Sequence, residues 1–104
     1  SHGRTQNVLQ AGALTIDPVS HQVRVNGELV DIVGREYDLL HALMLNLGRV
    51  LSRGQIEQHL YDWGHEVSSN AIEVHVHHLR RKLPPNTIET VRGVGYIIHR
   101  QEAA

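Results

Sequence analysis

A set of aliphatic residues at helical spacing, followed at once by two prolines, constrains this chain more than any other feature. The set is spaced by four, three and four positions: Ile72, Val76, Leu79 and Leu83. Such spacing places all four on one side of a helix. Pro84 and Pro85 follow, and proline has no amide hydrogen with which to continue a helix. The pattern predicts an amphipathic helix over residues 69–83, with Ser68 or Ser69 as its N-terminal cap.

The opposite side of this helix carries side chains that can read base pairs. They are Asn70, Ala71, Val74, His77, His78 and Arg81. Asparagine can pair with adenine and arginine with guanine through two hydrogen bonds, and Ala or Val can contact a thymine methyl group. The alternative is an ordinary solvated surface, because a polar outer face is the usual state of an amphipathic helix.

A β-hairpin is predicted after the helix. Two β-rich runs, residues 87–91 and 96–99, flank Arg92-Gly93-Val94-Gly95, and the two glycines permit the positive φ angles that tight hairpin turns need. A groove-reading helix beside a basic hairpin is typical of a winged helix-turn-helix that binds double-stranded DNA. The alternative is a surface hairpin whose arginine is merely solvated.

The N-terminal third predicts a small antiparallel sheet. Strands are expected at residues 13–17, 21–25 and 28–32, and Asn26-Gly27 is a strong hairpin signal between the last two. Residues 1–10 are predominantly polar and are expected to be an expression scar followed by an interdomain linker tail. The domain itself is expected over 11–101, with a short C-terminal tail at 102–104.

Two more helices are expected between this sheet and the amphipathic helix. The first, over 36–47, ends at Gly48, and its apolar side consists of Tyr37, Leu40, Leu43, Met44 and Leu47. The second begins with a capping box of Ser52 and Gln55 and extends to about Tyr61. A loop over 62–68 follows, in which Trp63 is expected to close the edge of the core or, alternatively, to contact another protein.

Charge is distributed unevenly along the chain. The net charge is −1, but residues 75–100 contain five Arg or Lys and one Glu, a local charge of +4. The positive segment therefore coincides with the helix and hairpin that would approach DNA. Cysteine is absent, which excludes disulfides and cysteine-ligated zinc. No nucleophile–base pair or paired-carboxylate motif indicates an enzyme, and no apolar run of about 18 residues indicates a membrane span.

Four motifs, in order, resemble the C-terminal output domain of OmpR/PhoB-type response regulators. They are Arg35-Glu36-Tyr37-Asp38-Leu39-Leu40, Gly48-Arg49-Val50-Leu51-Ser52-Arg53, Val74-His75-Val76 with Leu79-Arg80-Arg81-Lys82-Leu83, and Thr90-Val91-Arg92-Gly93-Val94-Gly95-Tyr96. The resemblance extends over about residues 14–98, and residues 72–83 are nearest to the PmrA/QseB-like subgroup. It implies an α+β winged helix-turn-helix with an N-terminal antiparallel sheet, three helices and a C-terminal hairpin wing. The implied function is sequence-specific DNA binding in a two-component transcriptional regulator of the cytoplasm, without a cofactor or metal.

The resemblance also implies which residues contact DNA. The third helix would enter the major groove through Asn70, Val74, His77 and His78, to which the helix face adds Arg81, and Arg92 would enter the minor groove. The DNA backbone would be contacted by Ser52, Arg53, Tyr61, Arg80, Thr90 and Tyr96. Arg80 could equally pair with Glu36 at the edge of the core. Implied partners are a receiver domain of the same full-length protein, a second copy bound head to tail on direct repeats, and RNA polymerase through the loop at 62–68.

Some positions depart from the family pattern, and two other functions stay open. Val33 stands where a Ser or Thr cap is common, and His77, His78 and Ile97 stand where arginine is common. Fewer permanent charges imply a shallower salt dependence and weaker binding by a single domain. One alternative is a winged helix that binds only protein. The other is a metal site built on His75 and His78, although the clustered ligands of such sites are missing from the sequence.

Overall fold

The computed structural model describes residues 8–32, 34–60 and 71–100 of the chain. The strands are β1 Leu9–Ala11, β2 Leu14–Asp17, β3 Gln22–Val25, β4 Glu28–Val30, β5 Leu51–Ser52, β6 Glu89–Val91 and β7 Gly95–Ile97. The helices are α1 Gly34–Leu45, α2 Arg53–Leu60 and α3 Ala71–Lys82. This is the predicted winged helix-turn-helix order with two strands added, β1 at the start of the N-terminal sheet and β5 between α1 and α2. Among the described residues, no helix is long and apolar enough to cross a bilayer.

The N-terminal sheet is antiparallel with the order β1-β2-β3-β4. Asn26 and Gly27 have φ angles of 54° and 84°, the left-handed values of a type I′ turn, which confirms the predicted hairpin. The prediction of a linker tail up to residue 10 is wrong at Leu9 and Gln10, which lie in strand β1. Leu9 pairs with Ile16 of β2 and packs against the core, so these residues belong to the domain.

Helix α1 lies at the centre of the domain and packs against β1, α2 and α3. Four of its five predicted core residues are buried: Tyr37, Leu40, Leu43 and Met44. The helix ends at Leu45 rather than Leu47, and Leu47 is only partly buried in the turn that follows. Gly48 has a φ of 79° and its amide donates to the carbonyl of Ile98 at 2.9 Å, so it ends the turn as predicted.

The capping box of α2 is confirmed by two reciprocal hydrogen bonds. The amide of Gln55 donates to Ser52 Oγ at 3.2 Å, and the amide of Ser52 donates to Gln55 Oε1 at 2.9 Å. Ile56 and Leu60 face inward and are buried. The helix ends at Leu60, so the predicted end at about Tyr61 is right to within one residue.

The aliphatic side of α3 is buried as its spacing predicts. Ile72, Val76 and Leu79 are each at most 2% exposed, and Leu83 is 6% exposed just beyond the helix. The amide of Leu83 still donates to the carbonyl of Leu79, after which the prolines prevent further helical hydrogen bonds.

The wing is a three-stranded sheet with the order β5-β7-β6, and β5 was not predicted. Gly93 has a φ of 76° at the turn, but Gly95 serves another purpose from the one expected. A Cβ added at Gly95 would lie 1.8 Å from the carbonyl oxygen of Leu51 in β5. Gly95 is therefore required by the close approach of two backbones rather than by a positive φ.

Replacing Gly95 with Ala should destabilise the domain, because β5 must move away from β7 to admit the methyl group. We expect the free energy of unfolding, measured by urea titration with far-UV circular dichroism, to fall by more than about 2 kcal/mol. Gly54→Ala is the control: its Cβ would meet only Ser52 Oγ at 4.0 Å. Alanine favours helix, so the control should gain up to about 1 kcal/mol. A similar stability for both variants would contradict the close approach.

Candidate nucleic-acid interface

The outward side of α3 forms one half of the candidate interface. Val74 is 42% exposed, and His77, His78 and Arg81 are also exposed. The burial of the opposite side against the core forces these four residues outward, as the helical spacing predicted. Two further residues were predicted for this face. Ala71 is partly buried at the start of α3, and Asn70 lies outside the described residues, as do Tyr61, Trp63, Val33 and the loop at 62–68.

The turn of the wing forms the other half. Arg92 is exposed there, and within the described part of the chain its side chain has no hydrogen-bond or ion-pair partner. The turn is closed by the amide of Val94, which donates to the carbonyl of Val91 at 3.0 Å. Val94 itself is 52% exposed beside the arginine. A cation and a small apolar group are thus presented together at the end of a short hairpin.

Arg80 joins these two halves. Its Nη2 donates to the carbonyl of Ile88 at 2.9 Å and to Oγ1 of Thr90 at 2.7 Å, and its Nε donates to the same carbonyl at 3.3 Å. The suggested pairing of Arg80 with Glu36 is therefore wrong. The planar guanidinium can satisfy a carbonyl and a hydroxyl on the incoming wing strand together, and this use of its donors fixes the wing relative to α3.

Glu36 instead contacts two other residues of α3. Its Oε2 lies 2.9 Å from Nδ1 of His78, and its Oε1 accepts from Nζ of Lys82 at 3.2 Å. Lys82 also donates to the carbonyl of Asp31 at 3.0 Å. Lys82 was not predicted as a site residue, although its position four residues after His78 puts both side chains on the same side of the helix.

Arg53 lies across a groove from the wing. The groove has a volume of about 360 Å³, and its lining includes Arg53, Glu73, Thr90, Val94 and Tyr96. Arg53 donates from Nη2 to Oε2 of Glu73 at 2.6 Å, and both side chains are about half exposed. Such a surface pair contributes about 0–1 kcal/mol, so a phosphate could displace the carboxylate. Glu73 was not predicted as a site residue, because nothing local links two residues 20 positions apart.

The other described residues predicted to contact the DNA backbone differ in how exposed their side chains are. Thr90 is exposed, and its hydroxyl accepts from Arg80 while keeping its own hydrogen to donate. Ser52 is partly buried, and its hydroxyl caps α2. Tyr96 is 8% exposed, so only the edge of its side chain reaches the groove. Thr90 and Tyr96 line the groove beside Arg53, and Ser52 precedes Arg53 in the chain. The contact of all three with DNA stays a prediction.

Three buried or partly buried groups near the helices have shifted pKa values. Burial lowers the pKa of His75, an effect that the Glu36 carboxylate opposes and that His78 and Arg35 reinforce. Burial also lowers the pKa of His41, with His21 adding to the effect. The pKa of Tyr37 is raised by burial and by the carboxylates of Asp17 and Asp38. Over the described ranges, no group of three or more His, Asp or Glu residues is arranged to hold a metal ion.

Comparison with known proteins agrees with this geometry. Residues 27–98 match the family model described as "Transcriptional regulatory protein, C terminal". The chain is 56% identical over 94 residues to response regulator protein PmrA of Pseudomonas aeruginosa, covering 90% of this chain and 42% of that protein. It is 47% identical over 98 residues to transcriptional regulatory protein QseB of Escherichia coli O157:H7, covering 94% of this chain and 45% of that protein. The chain therefore spans less than half the length of either relative.

A solved structure of a DNA-binding domain is also similar to this chain. The DNA-binding domain of RstA from Klebsiella pneumoniae, in complex with the RstA box, superposes with a TM-score of 0.79 at 31% sequence identity. The match covers 89% of this chain and 97% of that one. The similarity therefore includes both the sheet and the helix–wing arrangement.

Arg80→Ala should destabilise the wing, because it removes three donated hydrogen bonds and leaves the Ile88 carbonyl without its guanidinium partner. We expect a loss of about 1–3 kcal/mol in the free energy of unfolding. Amide hydrogen exchange in β6 should also accelerate. Arg81→Ala is the control, since Arg81 is exposed and has no hydrogen-bond partner among the described residues; its effect should stay within about 0.5 kcal/mol. Equal effects of the two substitutions would contradict a bracing role for Arg80.

The stability of the domain should fall as the pH decreases below about 6.5, the ordinary histidine value. Because the folded pKa of His75 is lowered, the unfolded chain binds its proton first, and protonation favours unfolding. Urea titrations between pH 7.5 and 5.5 should show this loss in the wild type and a smaller loss in His75→Gln. His41 contributes with the same sign. An identical pH dependence in the variant would exclude His75 as a source of the effect.

Proposed function

The chain belongs to the DNA-binding C-terminal domains of transcriptional regulatory proteins, and we propose that it binds double-stranded DNA through α3 and the wing at once. The family consists of transcription regulators rather than enzymes. One observation carries the proposed binding mode: Arg80 connects α3 to the strand that leads to Arg92. The two elements are therefore presented to a duplex as one rigid surface.

Helix α3 is proposed to enter the major groove, whose width of about 12 Å admits a helix. Val74 offers an apolar contact for a thymine methyl group, Arg81 can donate two hydrogen bonds to guanine, and His77 and His78 offer ring nitrogens. Asn70, at the start of this face in the sequence, is proposed as an adenine contact. Together these residues would supply sequence specificity.

The wing is proposed to place Arg92 in the adjacent minor groove. An arginine inserted there is attracted by the negative potential of a narrow groove, which is strongest at A·T-rich sequences. Arg92 has the exposure that this role needs, and the exposed Val94 next to it adds apolar contact. This contact would therefore favour A·T-rich sequence beside the bases that α3 reads.

Phosphate contacts are proposed from the groove between α2 and the wing. Arg53 would exchange the carboxylate of Glu73 for a phosphate, and Thr90 would donate its free hydrogen. Arg80 keeps the two donors of Nη1 for a phosphate while Nε and Nη2 hold the wing. Ser52, Tyr61 and Tyr96 complete the proposed set.

The partners of the longer protein follow from family membership as proposals. We propose a phosphorylated receiver domain in the same polypeptide, and a second copy bound head to tail on direct repeats. Residues 62–68 are proposed to contact RNA polymerase, and the regulator is proposed to act in the cytoplasm. Each of these concerns a complex larger than the chain described.

Selection of bound sequences from random duplex DNA tests the function. We expect two short direct repeats with centres about 10–10.5 bp apart. On that duplex, Arg92→Ala should weaken binding by roughly 5- to 150-fold, corresponding to about 1–3 kcal/mol, when Kd is measured at fixed salt. Arg24→Ala, in the N-terminal sheet, is the matched control and should bind as the wild type does. Failure to select any sequence would favour a winged helix that binds only protein.

A further inference from the structure

We propose that Glu36 is a positioning residue for base reading: it holds His78 so that the outer ring nitrogen accepts a hydrogen bond from adenine or cytosine. The inference rests on the proposed binding of α3 in the major groove. It adds a residue of α1, outside the DNA-facing helix, to the determinants of sequence specificity.

The contact between Glu36 and His78 determines where the ring proton lies. Glu36 belongs to the first turn of α1, and its carboxylate oxygen lies 2.9 Å from Nδ1 of His78. An ionised carboxylate only accepts hydrogen bonds, so Nδ1 must carry the hydrogen. In a neutral imidazole the other nitrogen, Nε2, is then an acceptor. No described residue is hydrogen-bonded to Nε2, and the His78 side chain is 46% exposed.

Lys82 makes a second contact with the same carboxylate. It donates to Oε1 of Glu36, the oxygen that His78 does not use, and it also donates to the Asp31 carbonyl. The Glu36 side chain is only 19% exposed, and with both oxygens engaged its orientation is restrained from two sides.

The consequence for base reading follows from the donors in the major groove. The exocyclic amino groups of adenine and cytosine are donors there, whereas guanine offers the acceptors N7 and O6. A His78 ring with an unprotonated Nε2 therefore accepts from adenine or cytosine and gains nothing from guanine. Arg81 lies three residues after His78 on the same face of α3. Its side chain has only donors and would prefer guanine. The Glu36–His78 pair thus supplies the acceptor that arginines on this surface lack.

The ring tautomer is tested directly by NMR. Long-range ¹H–¹⁵N correlation spectra of the 104-residue chain are recorded at pH 8, above the range in which histidines usually titrate. The wild type should show His78 with hydrogen on Nδ1. Glu36→Gln should keep this tautomer, because its side-chain carbonyl still accepts, and Glu36→Ala should lose the preference. Asp38→Ala is the matched control, since it removes a carboxylate from the same helix that is paired at 3.9 Å with Arg35.

The effect on specificity is tested with the duplex selected by the wild type. The base pair whose preference disappears in His78→Ala identifies the position read by His78, and adenine or cytosine is expected there. The ratio of Kd values for the selected and guanine-substituted duplexes should fall roughly three- to tenfold in Glu36→Ala, as for loss of one hydrogen bond. Glu36→Gln and Asp38→Ala should retain it, and the double variant Glu36→Ala/His78→Ala should lose no more than His78→Ala.

Three results would overturn the proposal: hydrogen on Nε2 in the wild type, a guanine preference at the His78 position, or an unchanged ratio in Glu36→Ala. Far-UV circular dichroism verifies that each variant is folded. If Glu36→Ala is not folded, the wild-type tautomer and the base preferred at the His78 position carry the test. If the selection returns no sequence, the proposed function itself fails, and base reading by His78 fails with it. The NMR spectra then still determine separately whether Glu36 fixes the ring.

Discussion

The burial of one aliphatic side of α3 is the interaction on which the rest of the structure depends. Ile72, Val76 and Leu79 are almost completely inaccessible, and α3 packs against α1. Burying each such side chain contributes about 1.5–3 kcal/mol. Rotation of α3 about its axis would expose these groups, so the same free energy fixes which side chains face outward. A surface suited to read bases is therefore a direct consequence of how the core is packed.

The wing is attached to this frame by two specific contacts in addition to the burial of Ile88, Tyr96 and Ile98 in the core. Gly95 lets β7 approach β5, which immediately precedes α2, and Arg80 donates to the carbonyl that precedes β6. One connection therefore starts from α2 and the other from α3. Two attachments on different elements restrict the hinge motion that a two-stranded hairpin alone would have. The position of Arg92 relative to α3 is thus set by Gly95 and Arg80. Neither residue is proposed to contact a base.

The features that the sequence predicted well are those whose cause is local. The Ser52–Gln55 capping box, the Asn26-Gly27 turn and the buried side of α3 each depend on residues within a few positions of one another. The unpredicted features depend on distant pairs. Strand β5 has only two residues and is defined by its pairing with β7. Strand β1 lies in a predominantly polar segment and is defined by its pairing with β2. The same holds for the site residues. Helical periodicity predicted which side chains of α3 are exposed, but it did not predict the contacts of Glu36 with His78 or of Arg53 with Glu73.

The partners of the basic residues explain how a chain with a net charge of −1 can present a DNA-reading surface. Glu73 offsets Arg53, and Glu36 offsets Lys82, at the edges of the helix that would enter the groove. These carboxylates reduce the long-range attraction for phosphate, and they also hold cationic or titratable side chains in defined positions. Arg92 has no such partner among the described residues, so no neighbouring carboxylate there offsets its attraction for DNA. Binding by this domain should therefore depend less on counterion release, and more on fixed donors and acceptors, than binding by a uniformly basic surface.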